Sequence, residues 1–132
     1  MPETTAAAIL TRPGHPDQVL LTRRNVPPFK GYWCIPGGHI DPFEPARQAV
    51  LREAREETGL EFDAQFLGYF DEIIPDLGIH AVVLVFYGEA TGAPILQEAE
   101  VQEIRWFTLD EARILPLALD HRTILAAFAS QT

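Results

Sequence analysis

The chain has 132 residues, 47% of them apolar, and a formal net charge of −9. That length suits one domain over residues 1–132 with a core of its own, and the composition is globular rather than disordered. The acidic balance argues against a general binder of nucleic-acid backbones, which needs a basic stripe. It leaves room for a small phosphorylated substrate, because a bound cation inverts the local charge.

Cys34 is the single cysteine, so no intrachain disulfide forms, and a reducing cytoplasm is compatible. The first ten residues carry no basic n-region, so a signal peptide is not expected. The longest apolar run, residues 81–87, is too short to cross a bilayer. A cytoplasmic protein without membrane association is the expectation.

Residues 4–10 are apolar and read as a first strand. Residues 12–17 hold two prolines and a glycine and read as a loop. A second strand follows over 18–23, and Pro27-Pro28 marks another loop over 25–30. Arg23, Arg24 and Lys30 are basic in an acidic chain. They are either ordinary surface charge or grips for a phosphate or carboxylate at the mouth of a site. Residues 32–35 are β-prone and run into Pro36-Gly37-Gly38. Glycines there let the backbone approach a ligand, and a freed carbonyl can coordinate a cation. Trp33 and Cys34 read as core, since nothing adjacent activates the thiol.

Pro45 and Gly59 bracket a run of helix formers. On that helix Val50, Leu51, Ala54 and Thr58 share one side. Glu53, Glu56 and Glu57 share another, within an arc of roughly 100°, with Arg52 beside them. The acids are badly placed for stability. Glu53 and Glu57 are a like-charge pair four residues apart, costing a few tenths of a kcal/mol. All three sit where the helix dipole prefers cations, by roughly 0.3–1 kcal/mol each. They form either a solvated acidic face compensated by Arg52 and Arg55, or a set of hard oxygen ligands for Mg²⁺ or Mn²⁺. Ahead of the helix, residues 41–45 make a stiffened entry, with Pro45 where a Ser or Thr cap usually stands. Glu44 reads as a capping residue or a partner of Arg52 rather than a metal ligand.

Residues 62–74 alternate imperfectly and give one or two strands, and 75–78 form a turn. Residues 80–89 are nearly all apolar and read as a central strand buried on both faces. Residues 91–99 are a loop, and Glu98, Glu100 and Glu103 follow one another at short spacing. A last strand over 104–108 leads to a short helix from residue 109. An amphipathic helix over 117–129 packs through Ile124, Leu125 and Phe128. A helical crossover among antiparallel-compatible strands predicts a mixed sheet in an α/β (α+β) domain. The four histidines, His15, His39, His80 and His121, show no metal spacing. His39 either touches substrate or is a bland surface residue.

The stretch 38–60 resembles the Nudix box, the signature of the Nudix hydrolase family. Gly38, Glu44, Arg52, Glu53, Glu56, Glu57 and Gly59 match its fixed positions, and Ala54 and Leu60 fill aliphatic slots, Ala54 being small for its place. Residues 33–38 are similar to the Trp-x-x-Pro-Gly-Gly run that leads into the box, and Phe43 stands where many relatives have a small residue or glycine. The box covers 23 of 132 residues.

The resemblance implies the Nudix fold, a mixed sheet sandwiched between α-helices. It also implies Mg²⁺-dependent hydrolysis, with Mn²⁺ as the alternative metal, of a nucleoside diphosphate linked to another group. The Gly38 carbonyl, Glu56 and Glu57 would hold the principal cation. Glu53 would bind a second cation or deprotonate water, and Arg52 would orient Glu53 or Glu56. In some relatives the base lies on a late acidic loop, which here points to Glu100, with Glu98 and Glu103 as rivals. Pro75, 15 residues after Leu60, resembles the ADP-ribose pyrophosphatase branch. ADP-ribose or a related nucleotide sugar is therefore the first substrate expected, and a (d)NTP the alternative. Arg23, Arg24 and Pro75 are the candidate substrate-binding residues. A non-catalytic ligand sensor is a third reading, which the retained carboxylates disfavour. The expected partner is a small-molecule nucleoside diphosphate derivative rather than nucleic acid, and homodimers are common among relatives.

Overall fold

The computed structural model describes residues 1–96 and 101–131. Strands β1 (Glu3–Arg12) and β7 (Ile79–Thr91) run parallel at the middle of the sheet, in register from Glu3 opposite Ala81 to Thr11 opposite Glu89. The other pairings are antiparallel. β2 (His15–Arg24) and β4 (Gly37–His39) pair with β1, and β3 (Trp33–Cys34) and β8 (Val101–Thr108) with β2. β5 (Glu61–Phe62) and β6 (Gln65–Ile74) pair with β7. The sheet is mixed, as the order of elements predicts.

Residues 6–10 of β1 are all buried, because side chains that alternate across a strand here meet helices on both faces. Ala6, Ala8 and Leu10 pack with α1 (Ala46–Thr58) through Ala49, Val50 and Ala54. Ala7 and Ile9 join the opposite core with α2 (Leu109–Ala112) and α3 (His121–Ser130), including Ile124, Leu125 and Phe128. β7 divides the same way, Val83 and Val85 to one side and Leu84 and Phe86 to the other. No helix among the described residues is long and apolar enough to cross a membrane.

The largest differences from the expectation are at three boundaries. The loop over 12–17 shrinks to Pro13-Gly14, with Gly14 at φ 78°, and β2 begins at His15. Pro16 is tolerated because this end of β2 pairs only with β1; β8 joins it from Gln18. The last strand starts at Val101, earlier than its apolar core suggested. The last helix starts at His121, not Leu117. Trp33 N–H donates to the Pro116 carbonyl and Ala118 N–H to the Trp33 carbonyl, so this segment adds to the sheet before Leu119, at φ 52°, turns it into the helix.

The helix that carries the acidic face behaves as its ends predict. Pro45 occupies the N-cap without a side-chain cap, and Gly59 closes the helix at φ 75°, its N–H donating to the Arg55 carbonyl. Phe43 adopts φ 65° with its ring fully in solvent, the left-handed conformation that glycine adopts without strain.

Candidate functional site

β4 runs so close to β1 that no side chain fits at Gly37. A Cβ there would stand 2.3 Å from the Ala6 carbonyl oxygen and 2.9 Å from Ala7 Cα. At Gly38 the obstacle is different: a Cβ would lie 2.6 Å from the carboxyl carbon of Glu53. The Gly37 N–H donates to Glu57 Oε1 at 3.0 Å. Glu53 and Glu57, one helical turn apart, thus converge on the Gly37-Gly38 backbone.

Arg52 holds the acids in place. Its Nε and one terminal nitrogen donate to the two oxygens of Glu44 at 2.8 and 3.0 Å. The other terminal nitrogen donates to Glu53 at 2.9 Å and Glu56 at 3.2 Å. A further bond to the His39 carbonyl, 3.1 Å, ties the loop ahead of the helix to the same guanidinium. Of the two roles read for Glu44, the structure has the pairing with Arg52 and no cap. Arg52, with help from the Asp41 N–H, holds the Glu44 carboxyl down at about 2. Burial pushes Glu53 the other way, above the usual carboxylate range. Arg52 offsets part of that rise and the nearby Glu56 charge adds to it.

Glu56 is turned outward to Arg52, its side chain 57% exposed. Among the described residues, no three His, Cys, Asp or Glu side chains form a ready metal cage. Mg²⁺ usually takes one or two carboxylates and fills its remaining positions with water and substrate phosphate. The donor set fits a hard cation: two adjacent carboxylates beside exposed backbone, one of them partly desolvated, with the charge repulsion that a divalent ion relieves.

The two glycines separate by experiment. Gly37→Ala, which clashes with backbone, lowers the melting temperature. Gly38→Ala meets only the movable end of Glu53, so its melting temperature changes less while Mn²⁺ affinity falls about tenfold or more. Thermal melts and Mn²⁺ titration of both variants check this pair of outcomes.

A cleft of about 380 Å³ opens beside these residues, with Gly37, Gly38 and Glu57 in one part of its lining. Arg24 lines it, its Nε donating to the Pro28 carbonyl at 2.8 Å. Arg23 does not, because successive residues of a strand face opposite ways. It donates to the Gly31 carbonyl and lies 3.9 Å from Glu103. Glu103 also pairs with Arg105, and neither arginine lines the cleft. Pro75 is exposed at the start of the 3₁₀ turn Pro75–Leu77 and is not part of the lining, whereas Ile79 and Ala81 beyond the turn are. Glu98 and Glu100 lie outside the described residues. His39 is at the cleft, 3.1 Å from Glu3. Cys34 lines it as well, and burial pushes its thiol up to about 11, which keeps it protonated and inert.

Glu72 and His121 were not singled out from the sequence, yet both line the cleft and both are buried, 4% and 6% exposed. The period of β6 carried a signal: Phe70, Glu72 and Ile74 face inward, while Tyr69, Asp71 and Ile73 are exposed.

A family model described as the NUDIX domain matches residues 1–128. The chain is 34% identical over 107 residues to the uncharacterised Nudix hydrolase YvcI of Bacillus subtilis, covering 77% of this chain and 65% of that protein. It is 33% identical over 111 residues to the ADP-ribose pyrophosphatase of Methanocaldococcus jannaschii, covering 83% and 64%. The chain therefore spans just under two thirds of the length of these relatives. Among solved structures, the NUDIX domain of Shewanella oneidensis NrtR complexed with ADP-ribose matches with a TM-score of 0.87 and 27% identity, over 99% of this chain and 88% of that one.

Proposed function

We propose, on the premise that this chain belongs to the Nudix family, that it hydrolyses the pyrophosphate bond of a nucleoside diphosphate linked to another group. The observation that carries this reading is the convergence of Glu53 and Glu57 on the Gly37-Gly38 backbone beside a cleft. ADP-ribose or a related nucleotide sugar is the substrate proposed first. The M. jannaschii relative is an ADP-ribose pyrophosphatase, and the NrtR domain was solved with ADP-ribose.

Glu57, anchored by the Gly37 N–H, and the Gly38 carbonyl would hold Mg²⁺ or Mn²⁺, with Glu56 joining them on release from Arg52. When bound, the cation neutralises the diphosphate and lowers the pKa of its water. Glu53 is the residue best placed to accept a proton or share a second cation. In the metal-free site burial holds its pKa above that of an exposed carboxylate. Arg52 fixes Glu53 through a charge-assisted hydrogen bond, so the carboxylate stays aimed at Gly38 without reorganising. Arg24 offers a positive charge to the anionic substrate at the cleft.

The raised pKa of Glu53 sets the sign of a stability test. A carboxyl whose pKa is higher in the folded state costs stability once ionised, and the cost disappears as pH falls below that value. In chelator at neutral pH, Glu53→Gln therefore melts at or above the wild type. Added Mg²⁺ raises the wild-type melting temperature more than the variant's, as differential scanning fluorimetry would record.

The activity itself is tested by a Mg²⁺-dependent panel of ADP-ribose, nucleotide sugars, dinucleoside polyphosphates and each (d)NTP. AMP and ribose 5-phosphate released from ADP-ribose support the first choice of substrate. Pyrophosphate released from a (d)NTP moves the assignment to triphosphates. No hydrolysis in any arm contradicts the proposed activity.

A further inference from the structure

We propose that Glu72 selects the substrate at the end away from the cation, by accepting hydrogen bonds from the N–H-bearing edge of a nucleobase. This rests on the reading of the cleft as a nucleotide site. The Glu72 side chain is 5% exposed, and its Oε2 is buried with no hydrogen-bond partner among the described residues. Buried carboxylate oxygens are normally satisfied, and leaving one unmet is costly. A glutamate that serves only the fold would be better replaced by an apolar residue of the same size.

The neighbouring histidine leaves that oxygen available. His121 Nδ1 accepts the Ile35 N–H at 2.8 Å, so in the neutral ring Nε2 carries the proton. Nε2 lies 3.5 Å from Glu72 Oε2, long for a hydrogen bond. The contact braces the carboxylate without saturating it.

The cleft supplies direction. Its lining includes Glu57 and the Gly37-Gly38 backbone, where the phosphates would meet the cation, and also Glu72 and His121. The same lining includes small or branched apolar side chains, among them Ala7, Ile35, Ala81 and Val83. Such walls suit a flat ring. A carboxylate repels a phosphate and attracts a donor, so Glu72 orients a nucleotide with its base inward and its phosphates toward Glu57. A site built on a buried acceptor discriminates strongly against an analogue that lacks the matching donor.

The test is calorimetric titration with Mg²⁺ present. AMP, GMP and CMP are each compared with the counterpart lacking the exocyclic amine: purine riboside monophosphate, IMP and pyrimidin-2-one riboside monophosphate. Ribose 5-phosphate is the control. In the wild type at least one amino nucleotide binds about ten- to a hundredfold tighter than its counterpart. In Glu72→Leu that preference disappears and the melting temperature does not fall. If Glu72→Leu does not fold, Glu72→Gln carries the test, and its preference shrinks.

An unchanged preference in the folded variant overturns the proposal, as does a lower melting temperature with the preference intact, which marks a structural residue. Ribose 5-phosphate binding as tightly as the nucleotides, and losing affinity in the variant, assigns the donor to a sugar hydroxyl and overturns the base assignment. Hydrolysis that persists while Glu72 proves indifferent sinks this proposal alone. Absence of both nucleotide binding and hydrolysis sinks the nucleotide reading with it.

Discussion

Replacing Glu57 by Gln lowers kcat by about 10²–10⁴-fold while the protein still folds. Gln keeps the length of the side chain, and its amide oxygen still accepts the Gly37 N–H that Glu57 accepts at 3.0 Å. What disappears is the charge that would face the cation, and Glu57 belongs to neither core cluster. The loss therefore falls on turnover and metal affinity, with the melting temperature nearly constant. Steady-state rates on the substrate found in the panel, with a thermal melt of the same sample, measure both. Activity within about threefold of wild type would remove Glu57 from the site.

Arg52→Ala has the second-largest effect and a different signature, because stability and activity fall together. The guanidinium holds Glu44, Glu53, Glu56 and the His39 carbonyl at once, with its side chain only 26% exposed. Without it these acids face one another with no cation among them. Loss of charge-assisted bonds of this kind lowers the melting temperature by about 5–10 °C. Glu53 loses the group that aims it, so kcat falls by about tenfold to a hundredfold. Arg52→Lys restores the charge but not the planar fork, and it recovers stability better than rate.

The pH dependence of that deficit follows from Glu44. Its pKa is depressed from 4.5 to about 2 in the folded protein. The stability it contributes is complete above the unfolded value and is lost as pH falls through the folded one. The gap between wild type and Arg52→Ala is therefore full at neutral pH and closes between about 4.5 and 2. Urea melts at several pH values read it. A gap independent of pH would mean that the Arg52–Glu44 pair carries none of the difference.

Much of this site is legible in the sequence. Spacing alone puts Glu53, Glu56 and Glu57 on one side of a helix bracketed by Pro45 and Gly59, and the helix has those ends. The glycine run announces a close backbone approach: Gly37 has no room for a side chain, and at Gly38 one would displace Glu53. The apolar run at residues 80–89 is the centre of the sheet.

Periodicity assigns a residue to a face but does not choose its rotamer. Glu56 belongs to the acidic face, yet it turns to Arg52 rather than to Gly38. Arg23 and Arg24 are adjacent in sequence, and the strand between them sends only Arg24 to the cleft. The last helix starts later than its apolar pattern suggests because Trp33, some 80 residues earlier, captures residues 116–118 in backbone hydrogen bonds that no local pattern reveals. Glu72 is hidden for a related reason. A glutamate in a strand reads as an outward residue, and only its partners Phe70 and Ile74 on the inward face betray it.

The central claim is that Glu57 and the Gly38 carbonyl hold a divalent cation. Its most direct test is an equilibrium titration with Mn²⁺ followed by electron paramagnetic resonance, without substrate, on the wild type, Glu57→Gln and Glu61→Gln. Glu61 is the control, an acid just beyond the same helix that pairs with Arg55. The wild type and Glu61→Gln should bind Mn²⁺ alike, with Glu57→Gln weaker by about tenfold or more. Equal affinity in all three would place the cation elsewhere and contradict the claim.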